Sequence, residues 1–253
     1  MAVQLTDIIR LCETVLEPAR YRDYCPNGLQ VEGAEEVSRI VSGVTASQAL
    51  IDAAIEQKAQ VILVHHGYFW KGESPQVVGM KRKRLKALLE NDISLLAYHL
   101  PLDGHPELGN NARLAQLLGL SVQHGMEPAN DRSIGLVGEL SEAKSGDEFA
   151  AFVEAKLGRT PFHVAGTDRP IKRIAWCSGA AQGMIGQAVE LGVDAYLTGE
   201  VSEPTVHSAR ELGIHFYAAG HHATERYGVQ ALGEYLAEQL AIEHRFIDID
   251  NPV

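Results

Sequence analysis

The sequence predicts an α/β protein with two similar lobes, each built on a mainly parallel sheet that helices cover. Short β-type segments alternate with helical ones throughout, for example QVILVHH and ISLLAYH in the first half and DAYLTGE and HFYAAG in the second. Such alternation is typical of parallel strands joined by crossover helices. We place the first lobe at residues 1–126 and the second at residues 127–253, and we allow the lobes to exchange segments.

The two halves also align with each other, which indicates a duplicated unit. Residues 39–66 match residues 173–200 without a gap, and the identities include Gln48 with Gln182. Any two βαβ units share isoleucine, alanine and leucine by chance, but a shared arginine and glutamine favour duplication. With one indel the alignment continues, and a His-x-x-x-carboxylate pair then follows a strand in each half.

Charge argues against nucleic acid as a partner. The formal net charge is -11 at pH 7 and the pI is about 5.4. Binding to a phosphate backbone requires a basic surface, which this total does not provide. The basic segment KRKRLK at residues 81–86 is interpreted as a solvated helix face, with a phosphate-binding role as the alternative.

Cysteine usage and hydropathy predict a cytoplasmic protein that does not enter a membrane. The three cysteines are scattered without CxxC spacing, which argues against a disulfide framework and against a thiolate metal site. The first 16 residues form an amphipathic helical pattern without a basic leader or a cleavage site. The apolar segments are all shorter than the roughly 20 residues of a membrane span.

Histidine and carboxylate side chains collect where the predicted strands end. One histidine doublet closes QVILVHH, and the two pairs HLPLD and HHATE follow strands in the first and second halves. Open α/β sheets bind ligands outside the carboxyl ends of their strands. The joint arrangement predicts a metal site, whose ligands we place at His65, His66, Asp103, His221 and Glu225.

The donor types narrow the choice of metal without fixing it. Imidazole and carboxylate without thiolate suit zinc, iron, manganese or nickel. Neighbouring side chains on a strand point to opposite faces, so His65 and His66 serve one pocket only if the strand ends beneath them. Two ions a few Å apart explain such a doublet better than one ion does. For His99 two roles stay open: it is either a further metal ligand or a residue that orients a carboxylate.

Glu200 and His207 are the candidate catalytic residues. Glu200 ends the strand equivalent to the one that carries His66, and His207 lies about two helical turns further on. A carboxylate near a metal can act as a general base or orient the attacking water. The alternative for Glu200 is an acid at a helix N-terminus, stabilised by the helix dipole.

The segment GYFWKG at residues 67–72 also has two interpretations. Its three aromatic rings can stack on a planar base, and Lys71 can bind a phosphate. Alternatively, the segment is an apolar loop that packs on a neighbouring subunit.

Five ordered motifs resemble one family. PNGLQVEG, VHHGYFWKG, HLPLDGHPELGNN, TGEVSEPTVHSA and AAGHHATER together are similar to the Nif-three-like family, whose members are named GTP cyclohydrolase I type 2 homologues. The resemblance implies two similar α/β lobes, a site between them for two divalent metal ions, and a ring-shaped homohexamer. The family's metal ligands fall on the same five residues that spacing favours. Many members have proline after the second histidine, whereas this chain has Gly67.

The predicted function is that of a two-metal hydrolase. In the reaction that the family name implies, water attacks C8 of the guanine of a purine nucleotide, and formate is released. Glu200 or His207 would move the proton. Two alternatives remain: a metal-binding or regulatory ring assembly without catalysis, and a two-metal phosphoesterase.

Overall fold

The structure, a computed structural model, describes residues 2–253 and divides the chain into two compact units. Unit 1 comprises the chain up to Leu102 together with Gly228–Asp250, and unit 2 comprises Asp103–Tyr227 together with Asn251–Val253. Both units combine strands with helices, as the sequence predicts. Along residues 2–253, no helix has both the length and the apolar character needed to cross a bilayer.

The first part of unit 1 contains most of its elements. In chain order they are β1 (Val3–Gln4), α1 (Leu5–Leu16), β2 (Gly28–Val31), β3 (Glu36–Val37), β4 (Arg39–Thr45), α2 (Gln48–Glu56), β5 (Val61–His66), α3 (Gly79–Glu90) and β6 (Ser94–Ala97). A one-turn helix, α4 (Leu100–Asp103), follows, and its last residue is the first of unit 2. Proline disfavours a regular helix, but Pro101 lies in the first turn of α4, where its missing N–H breaks no hydrogen bond.

The elements of unit 2 follow in the middle of the chain. They are α5 (Asn110–Leu117), β7 (Ser121–Gly125), β8 (Leu136–Lys144), α6 (Gly146–Leu157), β9 (Phe162–Val164), β10 (Ile171–Trp176), α7 (Ile185–Glu190), β11 (Ala195–Thr198), α8 (Glu203–Leu212) and β12 (His215–Ala218). The long helix α9 (His221–Leu240) begins in unit 2 and ends in unit 1, where β13 (Glu243–Phe246) completes the series.

The sheet of unit 1 is mainly parallel, as predicted. Its strand order is β13-β4-β5-β6-β2, and β2 alone of these strands pairs antiparallel, with β6. The segment VILV of β5 is fully buried, which is the pattern of a parallel strand with both faces covered. Ile62 and Val64 of this segment pack with Leu50 and Ile51 of α2 in one hydrophobic core.

The sheet of unit 2 is parallel only at its centre. Its order is β7-β8-β10-β11-β12-β9, in which β10, β11 and β12 are parallel and the flanking strands are antiparallel. Alternate residues of β10 enter two different cores: Trp176 packs with Phe149 of α6, whereas Ala175 packs with Ile185 of α7. Helices therefore cover both faces of the central strands.

The units differ from the predicted lobes in two segments. Residues 103–126 belong to unit 2, because β7 pairs with β8 and Leu114 of α5 joins the core of that unit. Residues 228–250 belong to unit 1, because β13 pairs in parallel with β4. Strand pairing between segments far apart in the sequence thus determines the exchange.

The same contacts recur at equivalent positions of the two units. In unit 1, Gln60 accepts hydrogen bonds from the backbone N–H groups of residues 38 and 39. In unit 2, Asp194 accepts them from the N–H groups of residues 172 and 173. The guanidinium of Arg39 donates to the carbonyl of Gln57 at the end of α2, and that of Arg173 donates to the carbonyl of Leu191 at the end of α7. These matched contacts support the duplication inferred from the sequence.

Candidate metal centre

In unit 1, strand β5 ends at the histidine doublet. His65 is fully buried, and its Nδ1 lies 3.0 Å from the carbonyl oxygen of Tyr98. A carbonyl oxygen only accepts, so Nδ1 carries the proton and Nε2 carries the lone pair of the neutral ring. His66 is half-buried, and its Nδ1 lies 3.2 Å from Oγ1 of Thr45. Hydrogen bonds of this kind commonly orient imidazoles that bind metal.

His99 joins the doublet to form a cluster of three imidazoles. The ring centroid of His99 lies 5.0 Å from that of His65 and 5.8 Å from that of His66, and the doublet's own centroids are 4.6 Å apart. One ring nitrogen from each residue lies within 4.8 Å of the other two. Because β5 ends at His66, adjacent side chains converge instead of pointing to opposite faces. The condition that the sequence sets for the doublet is therefore met.

The carboxylate of Asp23 holds the ring of His99 in place. The spacing of residues in the sequence does not reveal this contact. Oδ1 of Asp23 lies 2.7 Å from Nδ1 of His99, and its Oδ2 accepts from the backbone N–H of Leu100 at 2.9 Å. Asn27 donates to the same carboxylate at 2.9 Å and accepts from the backbone N–H of His99 at 2.7 Å. This network fixes the orientation of the His99 ring and directs its proton to Nδ1.

These hydrogen bonds also set the pKa of Asp23. Burial alone would raise it, but the hydrogen bonds from His99 and Asn27, with the nearby imidazole charge, lower the pKa to about 2. The carboxylate is therefore ionised at neutral pH, and its interactions stabilise the folded state.

Gly67 is required by the packing of the loop after β5. A Cβ at this position would lie 2.2 Å from Oε1 of Gln30 and 2.6 Å from Cβ of Ala97. That Oε1 accepts from the backbone N–H of Tyr68 at 2.7 Å, so the glutamine amide cannot move away without losing this bond. This chain thus has glycine, where many family members have proline, at a position that Gln30 approaches closely.

The three aromatic residues of this loop have different surroundings. Tyr68 is buried, and its hydroxyl donates to the carbonyl of Ala46 at 2.7 Å. Phe69 is partly exposed, with the ammonium of Lys81 4.9 Å from its ring centre. Trp70 lies edge-on to His99, with centroids 5.0 Å apart. Trp70 is thus the aromatic residue of this loop that borders the histidine cluster.

In unit 2, Asp103 is a buried carboxylate held by polar neighbours. Its Oδ1 accepts from Nδ2 of Asn110 at 2.8 Å and from Oγ of Ser178 at 3.3 Å. Asn111 supports the same group, because its Oδ1 accepts from the backbone N–H of Ser178 at 2.8 Å. Asp103 lies close to Glu225, with a carboxylate oxygen of each within 4.8 Å of the other. Two buried carboxylates this close repel each other unless a cation or a proton compensates them.

His221 lies between two carboxylates of the same unit. Its Nδ1 is 2.6 Å from Oε1 of Glu200, and its Nε2 is 3.1 Å from Oε2 of Glu225. His221 and Glu225 share a face of α9, as their spacing predicts. The distance between Nε2 and Oε2 is close to that of two adjacent ligands on one metal ion, given metal–ligand bonds of about 2 Å.

The same arrangement raises the pKa of His221. Burial disfavours the charged ring, but Glu225 and then Glu200 outweigh burial and raise the pKa to about 9. In this state a proton lies between Nε2 and the Glu225 carboxylate. A metal ion bound there would replace that proton.

Gly179 lets the backbone approach the Glu225 carboxylate. It has a φ of +67°, and a Cβ there would lie 2.2 Å from Oε1 of Glu225 and 3.2 Å from Nε2 of His221. Its N–H donates to Oγ1 of Thr224 at 3.1 Å, which anchors the turn to α9. A side chain at Gly179 would therefore occupy space that the donor atoms use.

His207 lies away from this arrangement. It is exposed on α8, and its Nε2 is 2.9 Å from Oε1 of Glu203, one helical turn before it. Glu200 is positioned by its bond to His221, whereas His207 forms an ion pair on the helix surface. The structure thus separates the two candidate catalytic residues by their contacts.

Comparison with known proteins identifies the family to which this chain belongs. A family model described as Duf34/NIF3 (NGG1p interacting factor 3) matches residues 3–252. The chain therefore belongs to the DUF34/NIF3 family, and the resemblance seen in the sequence motifs is confirmed.

Curated relatives and solved structures agree with this assignment. A protein of Pseudomonas aeruginosa named GTP cyclohydrolase 1 type 2 homolog is 65% identical over 252 residues, covering 100% of both chains. A protein of the same name from Escherichia coli (strain K12) is 56% identical over 250 residues, covering 98% of both. The solved structure of protein ybgI, described as of unknown function, has a TM-score of 0.95 at 54% identity and covers 99% of this chain and 100% of its own. Reduced HcgD from Methanocaldococcus jannaschii has a TM-score of 0.85 at 26% identity, with 99% of each chain covered.

We predict that Asp23→Asn lowers the free energy of unfolding by about 2 kcal/mol at pH 7, since the lowered pKa of Asp23 corresponds to that amount. A group whose pKa is lower in the folded state stabilises above its unfolded pKa, and the contribution is lost as pH falls through the folded value. The difference between the two proteins should therefore shrink between about pH 4 and pH 2.

Urea unfolding at several pH values measures this difference. Asp52→Asn, which changes an exposed carboxylate of α2, is the control and should leave stability within about 0.5 kcal/mol. A pH-independent loss in Asp23→Asn would contradict the assignment.

Proposed function

We propose that the chain is a hydrolase that uses two divalent metal ions and acts on a purine nucleotide. Its ligands would be His65, His66, Asp103, His221 and Glu225, with His99 as a further candidate. The observation that carries the proposal is the pair formed by His221 and Glu225, in which a buried carboxylate oxygen and a ring nitrogen face each other at 3.1 Å. Zinc, iron, manganese and nickel all suit such donors.

The histidine contacts within each unit support this ligand set. Nδ1 of His65 donates to a backbone carbonyl, and Nδ1 of His221 faces the carboxylate of Glu200. In both neutral rings Nε2 is then the nitrogen that can bind a metal. Bound divalent ions would supply Lewis acidity and lower the pKa of water.

The remaining residues have distinct roles in this proposal. Glu200 orients His221 through Nδ1 and is a positioning residue. Asp23 fixes the proton of His99 on Nδ1, so that Nε2 of His99 can bind a metal or accept a proton from water. No proton-transfer role is proposed for His207, because its ring pairs with Glu203 on exposed α8. The homohexamer implied by the family resemblance stays a prediction.

The reaction is tested with the metal-loaded protein and GTP. We expect release of formate, because hydrolysis at C8 of guanine removes that carbon as formate. Release of phosphate instead would show a phosphoesterase. Bound metal without turnover of any nucleotide would favour a metal-binding or regulatory assembly and would contradict the hydrolase.

We predict that His65→Ala and His221→Ala each lose bound metal while the protein stays folded. Each change removes one donor, whereas the cores of both units remain intact. Elemental analysis of the wild type should give two ions per chain after saturation, and circular dichroism checks folding. His66→Ala removes a donor from a half-buried position, where the change disturbs packing less than at buried His65, and it should also lose metal.

His207→Ala is the matched control and should keep the wild-type metal content. Wild-type stoichiometry of one ion per chain would rule out the metal pair. Unchanged metal content in His221→Ala would rule out the ligand set.

We predict that Glu200→Gln lowers metal affinity about 10- to 100-fold, since loss of a carboxylate that orients a metal-binding imidazole weakens binding by that amount. Hydrolysis should approach the wild-type rate at saturating metal. Glu203→Gln, a neighbouring exposed change, should alter neither value. Metal affinity that stays constant while turnover falls by about 10² to 10⁴ would make Glu200 the proton carrier instead.

A further inference from the structure

We propose that unit 2 contains a subsite for the phosphoryl group of a nucleotide, anchored by the guanidinium of Arg159. The inference rests on the proposed function for its class of ligand. The subsite is a pocket of about 260 Å³ whose walls include Arg159, Phe162, Glu200, Val201, Pro252 and Val253.

The pocket lies where an open α/β sheet binds ligands. Gly199 and Glu200 follow the end of β11, and Ala218 is the last residue of β12; all three line the pocket. Ligands of such folds occupy the region outside the carboxyl ends of parallel strands. Glu200 also contacts His221, so the pocket adjoins the candidate metal ligands of unit 2.

Arg159 is placed on the pocket wall by the backbone around it. Gly158 ends α6 in the left-handed conformation, with a φ of +71°, and the chain turns there. The side chain then passes close to Gly220, where a Cβ would lie 2.9 Å from Cδ of Arg159. Its Nη1 donates to the carbonyl of Pro252. A phosphoryl group is a stronger partner for a guanidinium than a neutral carbonyl, since it binds through charge-assisted and bidentate hydrogen bonds.

The other walls suit the sugar or base of the same ligand. Phe162, the first residue of β9, is 50% exposed, and Val201 is 37% exposed. An accessible ring of this kind can pack against a sugar or stack on a base. Pockets for drug-sized ligands occupy about 300–1,000 Å³, so this pocket fits part of a nucleotide.

The Glu200 carboxylate on the pocket wall already has a partner. Its Oε1 is 2.6 Å from Nδ1 of His221. Segment 251–253 forms the remaining wall, with a backbone oxygen of Val253 accepting from the backbone N–H of His222 at 2.9 Å. Binding of a phosphoryl group would therefore exchange the carbonyl of Pro252 for an anion at Arg159.

The test compares GMP with guanosine on metal-free protein by isothermal titration calorimetry. Arg159→Ala should raise the Kd for GMP about 10- to 100-fold, the effect of losing a hydrogen bond to a charged group, and leave the Kd for guanosine unchanged. Arg159→Lys, which keeps the charge but not the planar fork, should give an intermediate loss. Phe162→Ala should weaken both ligands about tenfold.

Arg169→Ala is the matched control, because Arg169 also donates to a backbone carbonyl, that of Gly213 at 3.2 Å. It should leave both Kd values unchanged, and thermal unfolding checks that every variant is folded. Equal weakening of GMP and guanosine by Arg159→Ala would overturn the subsite, as would failure of the metal-free wild type to bind GMP. Formate release is measured separately on metal-loaded protein, so failure of the hydrolase leaves a positive binding result standing.

Discussion

The chemistry proposed for this chain depends on confined negative charge in unit 2. Asp103 and Glu225 are 7% and 3% exposed, and a carboxylate oxygen of each lies within 4.8 Å of the other. Two negative charges this close and this buried are costly unless a cation or a proton compensates them. The surrounding residues accommodate both groups. Asn110 and Ser178 donate hydrogen bonds to Asp103, and Gly179 leaves space for Glu225. Glu225 of this pair, together with Glu200, raises the pKa of His221 despite its burial.

The fold could be predicted largely from local patterns. The fully buried segment VILV is recognisable as a parallel strand, and the alternation of strands with helices gives the α/β class. The division into units could not be predicted in the same way, because it depends on which strands pair. β13 adds to the edge of the unit 1 sheet beside β4, some 200 residues earlier in the chain, and no local pattern encodes that partner. The antiparallel strands β7, β8 and β9 of the unit 2 sheet could not be predicted for the same reason.

The candidate site shows a similar division between what spacing reveals and what it does not. His65, His66, Asp103, His221 and Glu225 have recognisable spacing at strand ends, and within each unit the structure brings its own members close together. Asp23 has no such signal, because it lies in an irregular segment before β2 and reaches His99 only through the fold. The position of Glu200 in the duplicated unit marks it as a candidate. The sequence does not show that its partner is His221. The residues that hydrogen-bond to the candidate ligands are brought there by tertiary contacts. Such contacts leave no regular spacing in the sequence.

The two units arrange their histidines alike at positions that the duplication makes equivalent. His99 and His221 are equivalent in the alignment of the two halves, and each faces a carboxylate through Nδ1, at 2.7 Å from Asp23 and 2.6 Å from Glu200. The two carboxylates are not equivalent: Asp23 precedes the strands of its sheet, whereas Glu200 follows β11. The contact between Nδ1 and a carboxylate is thus kept although the carboxylate comes from a different part of the chain. A requirement on the histidine itself, namely a lone pair at Nε2, accounts for this agreement better than inherited contacts do. The same requirement favours a ligand or proton-accepting role for His99 over a purely structural one.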